Sequence, residues 1–166
     1  MKIVVLKFGG TSVGTIEKIK KVTDIIIEHK KKKNKVIVVS SAMSGVTNDL
    51  IKKSKQISNN FIDSEYDVLV SSGEQVACSL IAGRLNHKGF KSRSWLGWQI
   101  PIFTNGPYTN SRIQQVNKNK LLRFLKEGGI PIITGFQGVN MNERVTTIGR
   151  GGSDASAIMI AKSFKA

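Results

Sequence analysis

At 166 residues, 40% of them hydrophobic, the chain suits one domain around one core. No apolar run approaches the roughly 20 residues of a membrane span, and the short run after Lys2 is too brief for a signal-peptide core, so no membrane partner and a cytoplasmic protein are expected. The net charge of +15 raises nucleic acid as a partner, but the densest run, Lys30 to Lys35, falls at a predicted helix end. Cations there complement the helix dipole. With no zinc-finger spacing, aromatic-basic motif or long basic tail, no specific nucleic-acid partner is expected.

The first element is Ile3-Val4-Val5-Leu6, a continuous apolar run of the kind that marks a strand buried on both faces. A glycine-rich turn follows, and then Ile16, Ile19, Val22, Ile26 and Ile27 recur at helical spacing over about 15–32. Val36-Ile37-Val38-Val39 is a second buried strand. Strand, helix and strand with this crossover length form a βαβ unit and hence a parallel sheet. The loop 41–47 leads to a helix over 48–58, a polar turn over 59–63 and a longer helix over 66–87. That long helix has Val68, Leu69, Val76, Leu80, Ile81 and Leu85 as its apolar positions. Gly73 interrupts it, at a cost of roughly 1 kcal/mol relative to Ala, which points to close packing or to a ligand. Residues 90–95 read as a third strand and 100–103 as a short extended segment. The amphipathic stretch 117–127 ends in Gly128-Gly129, a helix-stop signal. Ile130-Pro131-Ile132-Ile133-Thr134 is another buried strand, and a last apolar helix covers 153–163. The expected fold is α/β, a three-layer α/β/α sandwich with a mainly parallel sheet, whose sites lie at the carboxyl ends of the strands.

Four segments combine glycine with hydroxyl, charged or aromatic residues just past a strand or at a helix start: 7–12, 41–47, 134–138 and 149–154. In Lys7-Phe8-Gly9-Gly10-Thr11-Ser12 a lysine at a strand end precedes two glycines. Glycines let backbone N–H groups approach phosphate oxygens, and a lysine supplies charge to oxygens that gain it during transfer. The spacing is neither a Walker A loop nor a dinucleotide fingerprint, and a plain tight turn would use the same glycines. In Gly149-Arg150-Gly151-Gly152-Ser153-Asp154, Arg150 offers a planar fork for a carboxylate or phosphate and Ser153 a helix cap. Asp154 either offsets the dipole or holds Lys7 or a substrate ammonium. Ser72-Gly73-Glu74 places a carboxylate beside a helix glycine, as a surface acid or as the partner of an amino group. His29 and His87 read as solvated, Trp95 and Trp98 as core or pocket wall. Cys78, the lone cysteine, reads as a small buried hydrophobe.

These segments, taken in order, resemble the aspartate kinases within the amino-acid kinase superfamily. Lys7 to Val13 matches that family's opening signature. Ser41-Ala42-Met43-Ser44-Gly45-Val46-Thr47-Asn48, Ser72-Gly73-Glu74, Gly135-Phe136-Gln137-Gly138 and Gly149 to Asp154 match the blocks that follow. The resemblance implies the amino-acid kinase (carbamate kinase-like) fold and phosphorylation of the side-chain carboxylate of L-aspartate by Mg-ATP, opening the route to lysine, threonine and methionine. By position, Lys7, Glu74 and Asp154 would be catalytic, with Lys7 on the transferring phosphoryl group and Asp154 orienting it. Lys7, Phe8, Gly9, Gly10 and Ser41 would contact ATP. Thr47, Glu74, Arg150, Gly151, Gly152, Ser153 and Asp154 would bind aspartate, Arg150 at the α-carboxylate and Glu74 at the amino group. No protein metal ligand is expected; Mg2+ would arrive on the phosphates.

The resemblance places residues 1–166 in the aspartate-binding part of the kinase domain. The family's nucleotide-binding half and C-terminal sensing domains lie beyond it. Weak or absent kinase activity is therefore expected of this polypeptide alone, with self-association or oligomers in a longer parent. Another amino-acid kinase, or a non-catalytic remnant that binds aspartate or a partner kinase subunit, are the competing readings.

Overall fold

The computed structural model describes residues 2–166. Its centre is a four-stranded sheet in the order β1 (Ile3–Phe8), β2 (Lys35–Ser40), β6 (Ile130–Thr134), β3 (Ser92–Trp95), with every neighbouring pair parallel. β1 and β2 are joined by α1 (Ile16–Lys31), as the βαβ spacing predicts. α1 is capped by Thr15, whose hydroxyl accepts from the Lys18 amide, and ends in His29, Lys30 and Lys31, cations placed where the dipole favours them.

Alternation along the strands divides the core in two. Val36, Val38, Ile130 and Ile132 face α1 and α3 (Asp63–His87), where they meet Ile26, Ile81 and Leu85. Ile37, Val39 and Ile133 face α4 (Asn119–Lys126) and α5 (Gly152–Phe164), where they meet Leu121, Leu125 and Ile160. Helices on both faces of a parallel sheet make the three layers expected. β1 is an edge strand and only half-buried along its whole length.

Two expectations are corrected. The extended segment near 100–103 is β4 (Ile102–Asn105). It belongs to a second sheet together with β5 (Arg112–Val116), β7 (Gln137–Val139) and β8 (Val145–Thr147), in the order β5-β4-β7-β8. On the long helix, Ile81 and Leu85 are buried as expected, but three of the other expected apolar positions are not. Val68, Val76 and Leu80 are exposed, while Val70, Ser71, Gly73, Glu74, Ala77, Cys78, Ile81 and Leu85 are buried. Small residues win because α3 lies close against its neighbours. A β-carbon at Gly73 would stand 2.9 Å from Ala42 Cβ and 3.1 Å from Val46 Cγ1 of α2 (Val46–Ile57), so close packing accounts for this glycine. Among the described residues no helix is long and apolar enough to cross a membrane.

Candidate functional site

The parallel register brings three strand ends to one level: Phe8 lies opposite Ser40, and Ser40 opposite Thr134. The chain then leaves each strand at the same edge. The Ser41 amide donates to the Phe8 carbonyl (3.0 Å) and the Gly135 amide to the Ser40 carbonyl (2.9 Å). Beyond this edge lies a pocket of about 350 Å³, lined by residues of the β1, β2, β6–β7 and β8–α5 loops and by Glu74 of α3. α2 and α5 both begin there, at Gly45 and Gly151, each in the left-handed conformation (φ 87° and 72°). Two helix N-termini aim positive potential at the pocket.

Lys7, the penultimate residue of β1, meets Asp154 in the first turn of α5, with Nζ 2.8 Å from Oδ1. The lysine side chain is 27% exposed and the aspartate 65%, so this contact orients Lys7 far more than it stabilises the fold. The glycines beside it leave room for the neighbouring β2 loop and for the lysine itself. A β-carbon at Gly10 would stand 2.9 Å from the Ala42 carbonyl oxygen, and one at Gly9 3.4 Å from Lys7 Nζ. Phe8 turns its side chain into the α1–α3 core, so it contributes backbone rather than ring to this edge.

Glu74 is buried, with 3% of its surface exposed. One carboxylate oxygen accepts from the Ala42 amide at 3.1 Å, and the other has no hydrogen-bond partner. Burial pushes this carboxyl up to about 7, with the Ala42 amide acting in the opposite sense. An unpartnered buried carboxylate oxygen beside a pocket is costly unless a donor or a cation completes it.

Of the residues singled out from the sequence, Lys7, Gly10, Ser41, Thr47, Glu74, Arg150, Gly151, Gly152, Ser153 and Asp154 all line this one pocket. Arg150 is exposed at its rim and has no carboxylate partner among the described residues. The pocket also takes in Met43, Asn48 and Phe136. Phe136 is a non-glycine residue at φ 67°, a costly conformation. It is held by its own amide, which donates to Ser156 Oγ (3.2 Å), and by its carbonyl, which accepts from the Ile148 amide. Gly152 allows the ring its place, since a β-carbon there would stand 2.8 Å from Phe136 Cδ2. His29 and His87 lie outside the pocket. Cys78 is fully buried, Trp95 is a core residue, and Trp98 is half exposed on the surface.

Among the described residues no three His, Cys, Asp or Glu side chains cluster as a metal site. The donors that do converge are cationic or backbone N–H groups: Lys7, Arg150, two helix N-termini and the Gly9-Gly10 turn. They fit an anion, whereas Glu74 fits a cation. A pocket with both can take groups of either charge.

The sequence profile of the amino acid kinase family matches residues 2–166. Over its whole length the chain is 47% identical to an aspartokinase of Geobacillus stearothermophilus, covering 41% of that protein. It is 46% identical to an aspartokinase of Rickettsia conorii, covering 42%. Among solved structures, an aspartate kinase from Synechocystis matches all of the chain at 37% identity with a TM-score of 0.83, over 27% of its own length. E. coli aspartokinase III, solved in complex with aspartate and ADP, shares the fold at a TM-score of 0.86 and 24% identity, again along the whole chain and over 47% of its own length. The chain spans about two fifths of the curated relatives it matches.

Proposed function

Because the chain belongs to the amino acid kinase family, we propose that it forms the amino-acid side of an aspartokinase, which transfers the γ-phosphoryl group of ATP to the side-chain carboxylate of L-aspartate. The observation that carries this reading is Glu74, a buried carboxylate with one oxygen unpartnered in a pocket otherwise rich in cationic and N–H donors. The ammonium of an amino acid completes Glu74. Arg150 takes the α-carboxylate through its planar fork, with Thr47 and Ser153 supplying hydroxyl groups and Gly151 and Gly152 the backbone at the start of α5. Held at both ends, the substrate directs its side-chain carboxylate toward Lys7.

Gly9, Gly10 and Ser41 would hold the phosphates of ATP, and Mg2+ carried on those phosphates would supply further positive charge. A side-chain carboxylate oxygen attacks the γ-phosphorus, the bond to the β–γ bridging oxygen breaks, and ADP leaves with that electron pair. Lys7 offsets the charge that builds on the transferring oxygens, and Asp154 keeps its ammonium in place. Positioning and charge stabilisation suffice for such a transfer; no protein nucleophile is required.

Calorimetric titration of L-aspartate into the purified chain at pH 8 tests the reading. Saturable binding is expected, with succinate, which lacks the amino group, much weaker. Equal binding of succinate, or none of aspartate, refutes it. Phosphoryl transfer by the 166 residues alone is expected to be weak or absent, since they correspond to about two fifths of the matched aspartokinases. Robust turnover by the purified chain overturns that part.

A further inference from the structure

α3 carries a second buried carboxylate. Asp67 lies seven residues before Glu74, two helical turns along the same face, and is 0% exposed. No cation pairs with it among the described residues. Its charge is instead met by donors from two other segments. The Thr109 amide donates to both oxygens at 3.0 Å. The Thr147 amide reaches Oδ2 at 2.8 Å and the Thr147 hydroxyl Oδ1 at 2.7 Å.

Those two segments are the foundation of the Arg150 loop. Thr147 ends β8, three residues before Arg150. Thr109, itself at φ 65°, packs with Asn110 under the turn at Gly149. A β-carbon on Gly149 would stand 2.9 Å from Asn110 Oδ1 and 3.3 Å from the Thr109 carbonyl oxygen. The Ser111 amide also donates to the Thr147 carbonyl at 2.9 Å. One carboxylate therefore ties the helix that carries Glu74 to both strips of backbone beneath Arg150. Neither Asp67 nor Thr109 nor Thr147 lines the pocket.

We propose that Asp67 is a positioning residue that sets the separation of Glu74 and Arg150, and so the length of amino acid the pocket accepts, a proposal that rests on the aspartate reading above. A carboxylate suits this task because both of its oxygens accept. An amide in its place has only one accepting oxygen, so in either orientation its NH2 group faces the Thr109 amide, which lies 3.0 Å from both positions, and the tie to that segment weakens.

The test titrates L-aspartate, L-glutamate and inorganic triphosphate into the purified chain as wild type, Asp67→Asn and Thr147→Val, and follows amide hydrogen exchange in each. Asp67→Asn is expected to weaken L-aspartate at least tenfold and to narrow the preference for aspartate over glutamate. Triphosphate, which faces the Lys7 side, is expected to stay within twofold. An unchanged preference, or equal losses for aspartate and triphosphate, overturns the proposal. Thr147→Val removes only the hydroxyl bond and serves if Asp67→Asn does not fold, with about a threefold loss expected and no loss counting against the proposal. If the wild type binds no aspartate, the aspartate reading fails. Asp67 is then judged by exchange at the amides of 149–152, where faster exchange in the variants supports the positioning role and unchanged protection overturns it.

Discussion

Replacing Glu74 by glutamine should make the chain more stable and weaken its hold on L-aspartate. A glutamate carboxyl ordinarily titrates near 4.5; burial moves Glu74 to about 7. The gap corresponds to about 3 kcal/mol between the protonated and ionised forms. Below pH 4.5 the group is neutral both folded and unfolded, and burial costs nothing extra. As pH rises toward 7 the unfolded chain releases its proton first, so the folded state holds more protons and stability falls with pH. Above pH 7 the full cost is present. Glu74→Gln is neutral at every pH and can still accept from the Ala42 amide, the one hydrogen bond this side chain makes through its carboxylate oxygens. At pH 8 the variant is expected to melt roughly 6–12 °C above wild type, taking about 2–4 °C per kcal/mol at this size. The difference should shrink steadily to near zero at pH 4.5. Its affinity for L-aspartate should drop roughly 10–100-fold, the worth of a charged hydrogen bond lost. Circular-dichroism melts at half-unit pH steps read the first effect and calorimetry the second. A melting difference that is absent at pH 8, or equally large at pH 5, refutes this account of Glu74.

The same ionisation predicts that the wild-type dissociation constant for L-aspartate rises about tenfold per pH unit as pH falls below about 7; a flat profile from pH 8 to 6 would remove Glu74 from the amino-group site. Within a full-length aspartokinase, Lys7→Ala should lower kcat by roughly 10²–10³, as lost transition-state donors do, and unchanged turnover refutes its role. Arg150→Lys should mainly raise the KM for aspartate because the bidentate fork is lost; if only the ATP KM moved, Arg150 would be a phosphate ligand. Gly73→Ala should lower the melting temperature despite alanine's better helix propensity, since its β-carbon meets Ala42 at 2.9 Å and overpacking costs about 1–3 kcal/mol. A higher melting temperature in that variant would mean that α3 and the Ala42 loop have room to separate.

The parallel half of the fold was legible because its strands are continuous apolar runs. Val36 to Val39 and Ile130 to Ile133 announce burial on both faces, and the helix between the first two strands has a clear period. The second sheet was not legible because its strands are short and many of its buried positions are polar. β7 and β8 have three residues each, and their buried positions include Gln137, Thr146 and Thr147. Such residues are buried only because particular partners exist. Gln137 donates to the Ser71 carbonyl, Thr146 shares a hydroxyl contact with Thr104, and Thr147 donates to Asp67. Nothing in a local window displays partners some 40 to 80 residues away. The pocket residues were found for the opposite reason: glycine, lysine and hydroxyl residues just past a buried strand already carry the geometry of an anion site. Asp67 was missed because, without its distant donors, it reads as one more acid on a helix.

The sheet order also governs the sequence of events by which the chain folds. β6 sits between β2 and β3, yet it follows β2 by about 90 residues. A ribosome adding about 5–20 residues per second leaves the inner edge of β2 without its neighbour for roughly 5–20 s. Through that interval the strand Lys35–Ser40, with Val36 to Val39 at its centre, is an open template for another chain. The pocket is complete only when Phe136 and the 149–154 turn, which follow β6 in the chain, join Lys7, Gly10 and Ser41 at that edge. A ligand therefore finds no complete pocket until β6 and the turns after it have arrived.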